Sequence, residues 1–357
     1  MSKYFIFIIL VFVLGACKKE PQNNTDTTDN YQHGVIIGNE GNFTHGNGSI
    51  SFYNPDKKEV INNVFFNKNN FPLGDVVQSV YLHDGKYFIV VNNSGKIVVA
   101  DSENFEFINR ISGLESPRYI LFIDNSRAYV SDLYSKSINV INPSTFKIIS
   151  NIYIGNTTEQ MVPYKNFVYV TSWSFNNKIY KINTYSDQVI DSLEVTKQPN
   201  SIVLDKNNKL WVLSDGCFSG SAYGQDTAAL TKIDAENFII EKTYNFENLE
   251  VSPSCLTINN QQDSLFFIIG SWTGSVNSGG VYKMSINDNS LPELAFIPAE
   301  GRNIYKIGLH SNHNEIYVSD VKDYVHNGDI YRYYTSGTAI DTFEVNIAPG
   351  SFCFVPD

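Results

Sequence analysis

Four segments of this chain begin alike. Residues 116–122, 199–204, 253–258 and 349–354 each run from a turn, usually with a proline, into a short apolar strand. A polar turn follows the first three, as in Asp124-Asn125-Ser126 and Lys206-Asn207-Asn208, and then a second strand: Ala128-Tyr129-Val130, Leu210-Trp211-Val212 or Leu265-Phe266-Phe267. A variable loop leads to a third strand at residues 138–142, 179–183 or 330–333. Another turn leads to a fourth at residues 147–149, 188–190 or 239–241. Four short antiparallel strands, repeating at roughly 40–50 residues, are the pattern of a propeller blade.

Residues 34–357 divide into seven units of about 46 residues each, inside the range for propeller repeats. The expected fold class is therefore all-β, a seven-bladed β-propeller of four-stranded antiparallel blades. A parallel β-helix would need shorter and more regular coils. The first unit opens on Gly34-Val35-Ile36-Ile37, which reads as a second strand. Its missing first strand is the unclaimed segment at residues 351–355. Pairing the two chain ends in one blade closes the ring and removes an exposed strand edge.

In such a ring the first strand of each blade lines a central channel. The loop leading into that strand and the loop between the second and third strands share one face. The second-to-third loops carry Asn42 and Phe43, Asn92 and Asn93, Asp132 and Tyr134, Trp173 and Phe175, Phe218 and Tyr223, Trp272, and Tyr324. The lead-in loops carry Asp75, Arg118, Tyr119, Glu159, Gln160, Gln198, Arg302 and Tyr305. Nearly every blade thus offers an aromatic ring together with amides or charges to one rim. Exposed rings are costly unless they bind or pack. Aromatic area with orienting amides suits a large, partly flat ligand rich in hydrogen-bonding groups. The competing reading is that the rings pack between blades and the amides cap turns.

Composition narrows the function classes. The chain is 42% hydrophobic and 14% aromatic, too apolar for disorder, and its formal net charge is −11. An acidic body lacks the basic footprint of nucleic-acid binding. Lys3 followed by an apolar run over residues 4–14 reads as a secretory signal, too short to span a bilayer. Leu14-Gly15-Ala16-Cys17 matches a bacterial lipobox, so Cys17 is the expected lipidation site. The expected layout is a lipoprotein signal at residues 1–16, a lipidated cysteine and flexible tether at 17–32, and the propeller at 33–357. The tether is polar and holds no apolar anchor.

Cys217, Cys255 and Cys353 fit no metal-binding spacing. Burial is expected for Cys255 and Cys353, and a Cys217–Cys255 disulfide stays open. His310 and His313 fall in a first-to-second turn on the far face and are expected to be solvated. No zinc-protease, nucleophile-elbow or nucleotide-loop motif is present, and no cofactor is expected. A Ca²⁺ site would require Glu40, Asp75, Asp132, Glu159 and Asp215 to converge at the channel mouth. Since Asp132, Asp215 and Asp320 all follow second strands, part of that set reads as turn-forming residues of the repeat.

The segments at residues 39–43, 71–75, 91–96, 116–119, 132–134 and 158–161 resemble the YncE-like propeller lipoproteins of Bacteroidetes, the DUF5074 group. The resemblance covers residues 34–357. Within that group are BtuG-type surface lipoproteins, which capture cobalamin (vitamin B12) and pass it to a TonB-dependent outer-membrane transporter. The resemblance implies a seven-bladed propeller, a lipid anchor in the outer membrane with cell-surface exposure, and cobalamin or related corrinoid capture. Expected partners are thus a corrinoid, the transporter, and the membrane through the anchor alone. The expectation is passive capture rather than catalysis. Tyr119, Tyr134, Trp173, Phe175 and Trp272 would cover apolar faces of the ligand, while Asn92, Asn93, Gln160, Arg118 and Arg302 would hold its amide or phosphate edges. The alternatives are an interaction scaffold for protein or glycan and, behind it, a propeller lactonase or lyase.

Overall fold

The computed structural model describes residues 31, 33–273, 279–310 and 312–356. The segments expected to be a signal at residues 1–16 and a tether at 17–32, Cys17 with them, lie outside the described residues apart from residue 31. Seven four-stranded antiparallel sheets form the ring. Blade 1 holds Val35–Asn39, Ser49–Asn54 and Glu59–Ile61, completed by the C-terminal Pro349–Phe354 as its innermost strand. Blades 2 to 7 follow in chain order over residues 77–112, 117–153, 161–194, 199–245, 251–298 and 304–347. The closing strand pairs Phe354 with Val35, Cys353 with Ile36 and Phe352 with Ile37, as the orphan segment required.

The core is divided rather than central. Both faces of each sheet are apolar, and seven hydrophobic clusters form, each shared by neighbouring blades. Blades 3 and 4, for instance, meet through Tyr129, Ile138, Val140, Val168, Val170 and Ile182. Blades 7 and 1 meet through Tyr317, Ile330, Val345, Val35, Ile37 and Tyr53. The aromatic residue in the middle of the second strand is the recurrent wedge: Tyr87, Tyr129, Tyr169, Trp211 and Tyr317 are all fully buried. A buried phenol needs a partner, and two of these find one in the next blade. Tyr129 donates to Asp187, and Tyr169 donates to the Ala235 carbonyl.

The repeat's polar turns have an equally local cause. Asp101, Asn142 and Asn183 end third strands and accept two following backbone N–H groups each. This is the Asx turn that lets a hairpin reverse. Phe105, Phe146 and Asp187 then complete the reversal at φ of 60°, 58° and 52°. The only helical insertion of length among the described residues is Val64–Asn69, between blades 1 and 2. None is long and apolar enough to cross a membrane.

A latch reinforces the ring closure. Arg332 of blade 7 is 4% exposed and bonds Glu315 at 2.9 Å, Asp341 at 2.8 Å and the Tyr53 hydroxyl of blade 1 at 3.0 Å. Tyr53 also stacks on Phe343, with ring centroids 3.7 Å apart.

Candidate functional site: one rim and the channel mouth

All the innermost strands start at the same face, so the lead-in loops and second-to-third loops share that rim. Its outermost layer is aromatic. Phe43 is 65% exposed, Tyr134 62%, Phe175 56%, Tyr324 44% and Phe218 40%. They come from blades 1, 3, 4, 7 and 5. Trp272 of blade 6 is half-buried and packs 5.9 Å from Phe218. Phe175 meets Tyr223 edge-on at 6.4 Å, and Tyr324 meets Tyr305 at 5.7 Å. Exposed rings recurring round one face form a surface that burial has not consumed.

Beneath them lies a polar layer, and much of it is already committed to the framework. Asp132 is fully buried and accepts N–H groups from Ser116 at 2.9 Å, Glu115 at 3.2 Å, Tyr134 at 3.0 Å and Ser135 at 2.9 Å. It therefore ties a second strand to its own lead-in loop, and is not presented to a ligand. Asn92 does the same between blades, donating to the Ser116 hydroxyl and the Pro117 carbonyl, both at 2.9 Å. Arg302 is spent on the Ala299 carbonyl at 2.8 Å, the Pro298 carbonyl at 2.5 Å and the Tyr333 hydroxyl at 2.6 Å. Asn92 and Arg302, expected at a ligand's polar edges, hold loops here, and Asp132 does so too, in keeping with its reading as a turn-forming residue of the repeat.

Asp75 is buried as well and accepts from Thr44 N–H at 2.9 Å and from the exposed Asn93 amide. Asn42 donates to the Tyr324 carbonyl at 2.7 Å, clamping the loops of blades 1 and 7. Trp173 is half-buried, its indole N–H 2.8 Å from Asp215. Burial pushes the Asp215 carboxyl up to about 6, against the opposing bonds from Cys217 N–H, Trp173 and Asn200.

The innermost layer is the channel mouth. Arg118 forms a bidentate pair with Glu159, at 2.6 and 2.9 Å, and also donates to Gln78. Glu40 reaches over Gly350, whose missing side chain makes the room: a Cβ there would sit 2.4 Å from Glu40 Oε1. Tyr305 donates to that oxygen at 3.0 Å. Burial raises the Glu40 carboxyl above its ordinary value, against the pull of Lys306, Tyr305 and Arg118. Inside is a cavity of about 400 Å³ lined by residues of all seven blades, including Gln78, Tyr119, Gln160, Cys255 and Lys306. Sequence reasoning did not single out Lys306 or Gln78. Only the closed ring brings them together.

The carboxylates considered for Ca²⁺ do not converge. Among the described residues no three His, Cys, Asp or Glu side chains come together as a metal cage. Cys217, Cys255 and Cys353 are free thiols, with Cys217 and Cys353 buried and Cys255 half-buried. His310, expected in solvent, is 4% exposed because it ends an inner strand under Phe354 and stacks on His313 at 4.2 Å.

The profile of the family described as "Domain of unknown function (DUF5074)" matches residues 33–352, and the chain belongs to that family. No curated protein matches its sequence. Among solved structures it is similar to a quinonprotein alcohol dehydrogenase-like protein from Bacteroides thetaiotaomicron. That match has a TM-score of 0.69 and 16% identity, and covers 92% of this chain and 79% of the other. A protein from Lactobacillus plantarum gives a TM-score of 0.64 at 11% identity, covering 91% and 100%. Hydrazine synthase of Kuenenia stuttgartiensis gives 0.60 at 13%, covering 77% and 88%. At these identities the likeness is one of fold.

Proposed function

We propose that this DUF5074 propeller is a capture protein. In this reading it holds a large, flat, amide-rich nutrient on its aromatic rim, with cobalamin or a related corrinoid as the ligand. It is anchored in the outer membrane by a lipid on Cys17, displayed at the cell surface, and delivers its ligand to a TonB-dependent transporter. The observation that carries the reading is the ring of exposed aromatic side chains on one face. Phe43, Tyr134, Phe175, Phe218 and Tyr324 are all exposed. Rings supply area at low conformational cost, and the exposed Asn93 amide beside them supplies orientation.

The reading is a binding function rather than a catalytic one. At the mouth Arg118 and Glu159 pair with each other, and Glu40 accepts from the Tyr305 hydroxyl. The test is a combined Phe43→Ala, Tyr134→Ala, Phe175→Ala variant. All three side chains are exposed, so the variant should keep the fold. Corrinoid binding should weaken at least a hundredfold, since rim anchors contribute about 1–3 kcal/mol each. Binding that survives the triple change unaltered would remove the rim as the site, and a protein or glycan partner would then be the better use of those rings.

A further inference from the structure

We infer that the central cavity, below the rim and separate from it, is a binding site for a small monocarboxylate with an apolar body. The chemistry of its lining carries the inference. The Arg118, Glu159 and Glu40 charges at the mouth have partners. Lys306 has no such partner: among the described residues its ammonium forms no hydrogen bond and no ion pair within 4 Å, and it lies over the face of the Tyr305 ring, 4.9 Å from the centroid. Burial works against the charge on Lys306, while Cys255, Tyr119, Tyr305 and Glu40 around it work for it, with a net upward shift. A cation held in a cavity without an acceptor is costly unless an anion or water completes it.

The groups beside Lys306 are donors too. Gln78 and Gln160 both line the cavity, and both have their carbonyl ends occupied. Gln78 accepts from Arg118, and Gln160 accepts from the Ile202 backbone N–H at 3.3 Å. An amide with its oxygen committed presents N–H. The Tyr119 hydroxyl, on the same cavity, has no hydrogen-bond partner among the described residues. Two amide ends, a phenol and an ammonium therefore line one chamber, and they call for an oxygen-rich acceptor. Its charge follows from the neighbours. Arg118 and Glu159 cancel each other, and the Glu40 carboxyl, which burial holds above its ordinary value, acts on Lys306 through space, so the mouth carries at most one surplus positive charge; a monoanion is the most it can take and a dianion is opposed. Further along the same strands the lining turns apolar, with Val203, Leu309 and Phe354. That end fits a hydrocarbon body.

The experiment titrates the purified protein with benzoate, with benzamide as the neutral isostere and phenyl phosphate as the dianion, by calorimetry at low salt. One-to-one benzoate binding at least tenfold tighter than benzamide is expected, with phenyl phosphate weaker than benzoate. Lys306→Met should lose at least tenfold in benzoate affinity. Tyr119→Phe removes one donor without removing charge or bulk, and should lose several-fold. If Lys306→Met does not fold, the Tyr119→Phe variant and the benzoate–benzamide contrast decide. Equal binding of benzoate and benzamide, unchanged affinity in the variants, or no benzoate binding at millimolar concentration overturns the inference. None of these probes depends on the rim ligand, so failure here and failure of corrinoid capture are read separately.

Discussion

Asp215 makes the fold pH-sensitive, and the effect can be worked through. It follows the second strand of blade 5, Lys209–Ser214, and is 4% exposed. Its two oxygens accept Cys217 N–H at 3.0 Å and the Trp173 indole N–H at 2.8 Å. No cation pairs with it among the described residues. Burial therefore dominates and raises its pKa from 3.8 to about 6. Between those two values the folded chain holds a proton that the unfolded chain has released. The contribution of Asp215 is thus full below pH 4 and is lost as pH rises to about 6, at about 1.4 kcal/mol per unit. The total is on the order of 3 kcal/mol. Asp215→Asn keeps the shape and removes the buried charge. Urea unfolding of both proteins from about pH 4 to pH 7.5 isolates this group, because every other carboxyl is common to both. One Asn amide NH2 group must face a donor that the carboxylate accepted, which sets a constant offset; relative to its difference near pH 4, the variant should gain on the wild type by roughly 2–3 kcal/mol at neutral pH. A difference that is flat across the range would refute the reasoning.

Two other expectations concern the ring. Replacing Arg332 by Met leaves Glu315 buried without its cation, so unfolding free energy should drop by about 3–5 kcal/mol; urea denaturation checks it, and a loss under 1 kcal/mol would show that the latch adds little. Removing residues 350–357 strips the innermost strand from blade 1, including Phe352, Cys353, Phe354 and Val355, at a cost on the order of 5 kcal/mol or more. The truncated chain should lose its single cooperative melt by circular dichroism, and an unchanged melt would mean the ring does not depend on that closure.

The blade repeat was legible because it rests on local chemistry. Asp and Asn at third-strand ends, aromatic residues at second-strand centres and Pro before inner strands announce themselves along the chain. The closing strand was legible for the same reason, as one first-strand segment without a blade. The site was only partly so. The exposed loop positions of Phe43, Tyr134 and Phe175 were legible, since loop position and residue type suffice to place them at this rim. Asn92, Asp132 and Arg302 share those loops but serve the framework, and what separates them is the set of backbone N–H and C=O groups that the closed ring brings within reach. Lys306, between Tyr305 and Ile307, reads in sequence as an ordinary strand lysine. Its place on the cavity wall follows from the convergence of the inner strands, which no single repeat reveals. His310 was misplaced because a turn position says nothing about Phe354 arriving from the far end of the chain.

The most direct test of the account is calorimetric titration of the purified protein with cyanocobalamin and with cobinamide. Tight one-to-one binding of cyanocobalamin is expected, and comparison with cobinamide reads whether the lower nucleotide is held. No heat of binding at micromolar protein, with the propeller intact by circular dichroism, would contradict corrinoid capture.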